Sequence, residues 1–261
     1  MFRFDAHLRT NQVDHSGQST TRSFAWSLSK RTQTNRPIER LDLLPLAFLG
    51  HNSNDHVMVA KIGTYQAQVG KQTRELPIVP ISNDLAIALL ITVDHGIRFI
   101  ELASQELAEL LRPFDVECVV SVATMGIPVA MEVTRALGLD DYMILQKTPK
   151  IHLADAIDVQ VRSITTRVNQ RLLLDRERLL AVENRRIAVV DDVISTGASI
   201  HAALRLLRDV GAVPVAIGAL LAEANSWRSI LGKDALLVQT LGKIPLFRRN
   251  RQGQLDEDWE G

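Results

Sequence analysis

The most chemically loaded stretch of the chain is Arg186-Ile-Ala-Val-Val-Asp191-Asp192-Val-Ile-Ser195-Thr196-Gly197-Ala198-Ser199. Two adjacent acids end an apolar run, and hydroxyls and a glycine follow within a few residues. The run 186–191 reads as a buried strand, and a helix begins near Ser199. The turn between them sets backbone N–H groups and the hydroxyls of Ser195, Thr196 and Ser199 at a helix N-terminus. Unpaired donors and the helix dipole favour an anion there. Gly197 lets the backbone come close to a phosphate. Carboxylates at that place would repel the phosphate itself. They point instead to something attached to it that donates hydrogen bonds, such as sugar hydroxyls. Each bond of that kind to a charged group contributes about 1.5–3 kcal/mol. A ribose phosphate satisfies both halves of the stretch. The competing reading, in which the acids and hydroxyls only cap the helix, leaves two carboxylates at a buried strand end uncompensated, which is costly. The chain has no GxxxxGK[ST] and no GxGxxG after a strand, which argues against a P-loop and a dinucleotide fold.

The elements around this stretch alternate. The run 116–122 is apolar and β-branched, as a strand buried on both faces requires. A helix is predicted over 127–137, with Pro128 in its first turn and Gly138 after its end. Strands are predicted over 142–146, 215–221 and 235–240, and a helix over 199–210. Upstream, 64–69 and 73–79 flank Gly70 as a hairpin, with Pro77 and Pro80 marking the second run as an edge strand. Ile100, Ala103, Leu107, Leu110 and Leu111 make one apolar stripe on a helix over 96–112 that Pro113 stops. The expected class is α/β, a Rossmann-like parallel sheet with helices on both faces. Ligands of such sheets sit at the carboxyl ends of the strands, here the turns after Val122, Gln146, Asp191 and Leu221. Residues 147–171 are long for a connection. Lys147, Lys150, Arg162, Arg167 and Arg171 there face only Asp155 and Asp158, and Ile157, Val159 and Val161 alternate as in a hairpin. A basic flap beside the ligand edge suits a polyphosphate, and a solvated loop stays open as the alternative.

The whole chain has 261 residues, 46% of them hydrophobic and 23% charged, with 30 basic against 30 acidic side chains. That is an ordinary globular balance with no net charge. It gives no global sign of a nucleic-acid or membrane-surface protein. One cysteine, Cys118, excludes an internal disulfide framework, and its place in an apolar run makes it a core residue. No apolar run reaches the ~20 residues that span a bilayer, so the expectation is a soluble protein of a reducing, cytoplasmic compartment. The histidines show no metal spacing. Residues 1–40 carry seven basic and three acidic side chains and ten Ser or Thr. The expected division is a disordered basic extension over 1–55, a domain over 56–247, and a solvated charged tail over 248–261. A transit peptide or a nucleic-acid arm stays open for the extension.

VVDDVISTGAS resembles the phosphoribosyl diphosphate (PRPP) signature of type I phosphoribosyltransferases. RELPIVPIS, GIPVAMEVTRALGL, QKTPK, VQVRSITT and LGKIPLF are similar to segments of the adenine-phosphoribosyltransferase-like members. The likeness covers roughly 57–247. It implies a Rossmann-like core with a small hood, a homodimer, and Mg2+ carried by PRPP without dedicated protein ligands. By position, it implies that Asp191 and Asp192 bind the ribose hydroxyls. Ser195, Thr196, Gly197, Ala198 and Ser199 would cradle the 5′-phosphate. Ala123, Thr124, Met125 and Gly126 would be the pyrophosphate turn, helped by Lys147 and Lys150. Asp191, Asp192 and Lys147 would be the catalytic set, and Ile127 a wall against the base.

The resemblance also has a departure. Relatives usually carry Arg or Lys before the glycine of the pyrophosphate turn and often Glu two residues earlier. This chain has Met125 and Ala123. The expected function is a purine phosphoribosyltransferase, adenine first, that converts base and PRPP to nucleoside monophosphate and pyrophosphate. The alternatives are a non-catalytic PRPP- or nucleotide-sensing regulator, and an enzyme for xanthine or a pyrimidine.

Overall fold

The β-branched runs in the middle of the chain lie side by side as one parallel sheet. A computed structural model describes residues 10–13, 19–22, 61–148, 157–162 and 169–261, in two units, Met1–Asp55 and His56–Gly261. In the first unit β1 (Thr10–Val13) and β2 (Ser19–Arg22) pair antiparallel. The disorder expected over the rest of 1–55 concerns residues outside those described.

The second unit begins with β3 (Gly63–Val69), β4 (Gln72–Pro80), β5 (Leu85–Ala88) and α1 (Ile97–Leu111). Then follow β6 (Cys118–Val122), α2 (Gly126–Leu137), β7 (Tyr142–Leu145), β8 (Ile157–Arg162) and β9 (Asn169–Leu174). The last part holds β10 (Arg186–Ile194), α3 (Ala198–Asp209), β11 (Val213–Glu223), α4 (Trp227–Leu231), β12 (Val238–Ile244), β13 (Leu246–Arg249) and β14 (Leu255–Asp258).

The parallel sheet has the order β12-β11-β10-β6-β7. Cys118, Val120, Ile187, Val189 and Ile217 share one core with Leu204 and Leu207 of α3. Val119, Ala188, Val190 and Leu220 share the other with Leu107 and Leu111 of α1 and Val129 and Val133 of α2. Apolar side chains are therefore needed on both faces, and this is why the strands read as continuous runs. Each buried Val, Leu or Ile contributes about 1.5–3 kcal/mol. Cys118 is fully buried, as expected, and burial pushes its thiol up to about 11.

The strand order fixes where a ligand can enter. From β6 the chain moves outward to β7, then crosses to β10 and continues the other way through β11 to β12. The reversal leaves a crevice at the carboxyl ends of β6 and β10. β10 pairs with β6 only as far as Val190, opposite Ser121, but with β11 as far as Ile194. The strand thus runs on past the acids, where the sequence predicted an end at Asp191. β11 supplies its backbone partners there while the β6 side lies open.

The second sheet, β14-β13-β5-β4-β3, is antiparallel throughout. The hairpin predicted around Gly70 is β3–β4, but β4 is not an edge: it lies between β3 and β5. Pro77 points its carbonyl at the Leu89 N–H (2.9 Å), just past the end of β5. Its missing donor therefore falls where the ladder has run out. The tail predicted over 248–261 is corrected as well. β13 and β14 pair with each other, and β13 also pairs with β5. Arg248 lies opposite Asp256 and forms an ion pair with Asp258, and such cross-strand charge pairs stabilise a strand that lacks apolar alternation. Residues 232–237 form a 3-10 turn, so the last parallel strand begins at Val238 rather than at 235. Leu110, expected in the core stripe of α1, is 39% exposed.

Within 147–171 the predicted hairpin is β8–β9. Gln146 and Leu173 exchange both backbone hydrogen bonds (3.0 and 2.8 Å), and Leu172 and Leu174 enter the α3-side core. The root of the flap is therefore anchored beside β7. Among the described residues no helix is long and apolar enough to cross a membrane.

Candidate functional site

Asp191 and Asp192 stand half-buried at the β6–β10 crevice. The Asp192 N–H donates to Asp191 Oδ1 (3.0 Å). Burial, then the adjacent Asp192 carboxylate, hold the Asp191 carboxyl well above the usual carboxylate range, while the Asp192 N–H bond pulls it down. Burial also pushes Asp192 up, while the bond to Asp191 and backbone donors pull it down. The Lys147 charge draws both acids downward. Lys147 itself is exposed at the end of β7.

The turn after β10 forms as its residues dictate. Gly197 takes φ 78°, and a Cβ there would lie 3.2 Å from the Trp227 Cβ and 3.3 Å from its carbonyl. A side chain at 197 would therefore be strained and crowded. Gly197 caps α3 with no side chain, and Thr196 Oγ1 accepts the Ala198 N–H (3.3 Å). Ser195 and Thr196 are exposed, and Ala198 and Ser199 are half-buried. The arrangement is an open helix N-terminus a few residues from the two acids.

The opposite wall is the turn from β6 into α2. The Ala123–Thr124 peptide is cis. Thr124 and Met125 are exposed, Ala123 and Ile127 half-buried, and Gly126 buried. The Thr92 hydroxyl donates to the Met125 carbonyl (3.1 Å) and pins the turn from below. A Cβ on Gly126 would sit 2.7 Å from Asp191 Oδ1, so only glycine lets α2 start this close to the acid pair. The structure thus brings together 123–127, 191–192, 195–199 and Lys147. Lys150 lies outside the described residues.

The sequence reading missed Glu223. It ends β11 and is 5% exposed. Ser195 donates its hydroxyl hydrogen to Glu223, and burial raises that carboxyl while the Ser195 bond lowers it. The signal was an acid closing a long apolar run, the same pattern that marked Asp191. A separate cleft of about 340 Å3 along β7 is lined by Asp140, Asp141, Asp175 and Arg178. Arg178 is committed there to Asp141 (2.8 Å) and the Tyr142 carbonyl (3.1 Å).

Comparison with known proteins gives this geometry a family. The chain is similar to a xanthine phosphoribosyltransferase of Brevibacillus brevis, 26% identical over 142 residues, or 54% of this chain and 71% of that protein. It is also similar to the transcriptional regulator GfcR of Halobacterium salinarum, 31% identical over 116 residues, or 44% of this chain and 49% of that one. The solved adenine phosphoribosyltransferase of Thermoanaerobacter pseudethanolicus shares the fold, with a TM-score of 0.51 and 17% identity over 61% of this chain and 88% of that one. The model of the phosphoribosyl transferase domain matches residues 94–238, which hold the β6–α2 turn, both acids and the turn before α3. The chain belongs to the phosphoribosyltransferase family and has its type I fold.

Proposed function

We propose that the protein transfers the phosphoribosyl group of PRPP to a purine base, with nucleoside monophosphate and pyrophosphate as products. The observation that carries this reading is the placing of Asp191 and Asp192 beside the open start of α3, at the crevice where the strand order reverses. The acids accept hydrogen bonds from the ribose hydroxyls. The N–H groups of 195–199 and the hydroxyls of Thr196 and Ser199 take the 5′-phosphate, while the Ser195 hydroxyl donates to Glu223, and the turn 123–126 faces the diphosphate. The half-buried Ile127 walls the base. In the reaction the base nitrogen bonds to the anomeric carbon and gives up its proton, while the carbon–oxygen bond breaks and pyrophosphate leaves with its electron pair. An oxocarbenium-like sugar lies between these states, so the chain's work is to orient the reactants and exclude water.

Among the described residues no three His, Cys, Asp or Glu are grouped as a metal site. Mg2+ would come with PRPP, keeping its waters and riding on substrate phosphates, and would there offset charge on the leaving group without a dedicated protein ligand. Met125 stands where a cation is usual in relatives. Lys147 is the described basic side chain that can supply that charge.

Adenine is the first choice of base from the sequence segments, and the relative from Brevibacillus keeps xanthine open. The test is product formation from PRPP and Mg2+ with adenine, xanthine, hypoxanthine, guanine and orotate in turn. Product with one purine and release of pyrophosphate is the expected result. Product with orotate alone overturns the choice of purine. PRPP binding with no product from any base supports the second reading, a PRPP-sensing regulator, which Met125 and the similarity to GfcR favour.

A further inference from the structure

Ser121 is fully buried near the end of β6, and its hydroxyl has no hydrogen-bond partner among the described residues. A buried hydroxyl without a partner is costly. Its neighbours account for its presence. It lies opposite Val190, the residue before the acid pair. A Cβ built on Gly126 would meet Ser121 Oγ at 2.2 Å and Asp191 Oδ1 at 2.7 Å. Both oxygens therefore lie within 2.7 Å of one point, and in this arrangement Ser121 Oγ makes no hydrogen bond to Asp191. A hydroxyl rotates freely to suit an acceptor, and an ionised carboxylate is the strongest acceptor nearby.

We propose that Ser121 is a positioning residue for Asp191, its hydroxyl turning to donate to the carboxylate when Asp191 is ionised. The inference rests on the reading of Asp191 as a ribose-binding acid. It explains why a polar residue interrupts the apolar run Cys118–Val122, whose other members are all hydrophobic. The groups facing Asp191 are few. Asp192 adjoins it on the same strand, Lys147 approaches from the end of β7, and Gly126 adds no charge from α2. Burial and Asp192 favour the neutral acid. A donor from Ser121 opposes them and favours the ionised form that accepts from sugar hydroxyls.

The experiment measures PRPP affinity in the presence of Mg2+ between pH 5 and 9, by calorimetry on the full chain. The proteins are the native one, Ser121→Ala, Ser121→Thr and Asp191→Asn. Ser121→Ala is expected to bind about tenfold more weakly at neutral pH, as loss of one charge-assisted bond implies. The acidic limb of its affinity profile should move to higher pH. Ser121→Thr keeps the hydroxyl and should restore both. The thermal midpoint of Ser121→Ala should not fall, because no existing bond is removed. Unchanged affinity and an unmoved limb in Ser121→Ala overturn the proposal. A loss that Ser121→Thr does not repair, or that comes without the shift of the limb, is a packing effect and overturns it too. Asp191→Asn separates the two levels. If it binds PRPP as the native protein does, the ribose site itself is misplaced, whatever Ser121→Ala shows.

Discussion

At Asp191 stability and binding pull in opposite directions. The carboxyl is held well above its ordinary range by burial and by Asp192. The folded state therefore holds a proton that the unfolded chain would release, and ionisation near neutral pH costs folding energy. Asp191→Asn removes that cost and keeps the shape. Its thermal midpoint at neutral pH is expected to rise by a few degrees, about the effect of 1 kcal/mol. Its affinity for PRPP is expected to fall about 10- to 100-fold, for a charge-assisted bond of about 1.5–3 kcal/mol. Calorimetry of unfolding and of binding reads both. A midpoint that falls would mean the ionised acid is an asset to the fold and would reverse this account of its environment. Gly126 shows why the arrangement leaves no room for a different first residue of α2. Any Cβ there would press on Asp191 Oδ1 and Ser121 Oγ together.

Between the elements, one glycine governs how the two sheets meet. Gly70 donates its N–H to the Leu241 carbonyl (3.1 Å), and a Cβ on Gly242 would lie 1.9 Å from the Gln68 carbonyl oxygen. The obstacle is backbone, which cannot swing aside as a flexible side chain can. Gly242→Ala is expected to push β12 and β3 apart and to cost about 1–3 kcal/mol, the range for overpacking, read as a lower midpoint in urea unfolding. A cost near zero would mean that this approach is loose. Such contacts are what the sequence could not reveal. The inner strands and their helices were legible because burial on both faces demands uninterrupted Val, Ile and Ala. The acids and the turn before α3 stood out by residue type and spacing, and the fold sets them at the crevice of the parallel sheet. β13 and β14 were not, because Arg248, Asp256 and Asp258 gain their stabilisation from partners across the sheet rather than from apolar periodicity. The position of β4 was misread because Pro77 finds the end of β5 opposite it. Glu223 and Ser121 were passed over because a single polar residue near the end of an apolar run carries no spacing to read.

At the scale of the whole molecule, the shifted carboxylates among the described residues fall into two sets with opposite effects. Asp191, Asp192 and Glu223 are raised, each by burial first. The folded state binds more protons than the unfolded chain between the ordinary carboxylate value and these higher ones, so stability falls as pH rises through that window. Asp234, lowered first by its hydrogen bond from Arg208, and Asp258, lowered first by the Gly261 N–H, behave the other way. Their contribution is present above the ordinary value and is lost as pH falls through their lowered ones. These carboxylates together favour the acid side of neutrality, whereas His95, lowered first by burial, adds stability as pH rises through its ordinary value. PRPP should move that balance. On the proposed reading its ribose hydroxyls donate to the ionised pair, so binding should strengthen as the pair loses its proton, while stabilisation at a hundred times the dissociation constant is about 2.7 kcal/mol. Thermal midpoints recorded from pH 4 to 9 with and without PRPP and Mg2+ are expected to diverge as pH rises. The gap should narrow at every pH in Asp191→Asn, and its dependence on pH should flatten. A gap in the native protein that stays constant across that range would mean that the ligand does not touch the acids, and the sugar would have to be held elsewhere in the crevice.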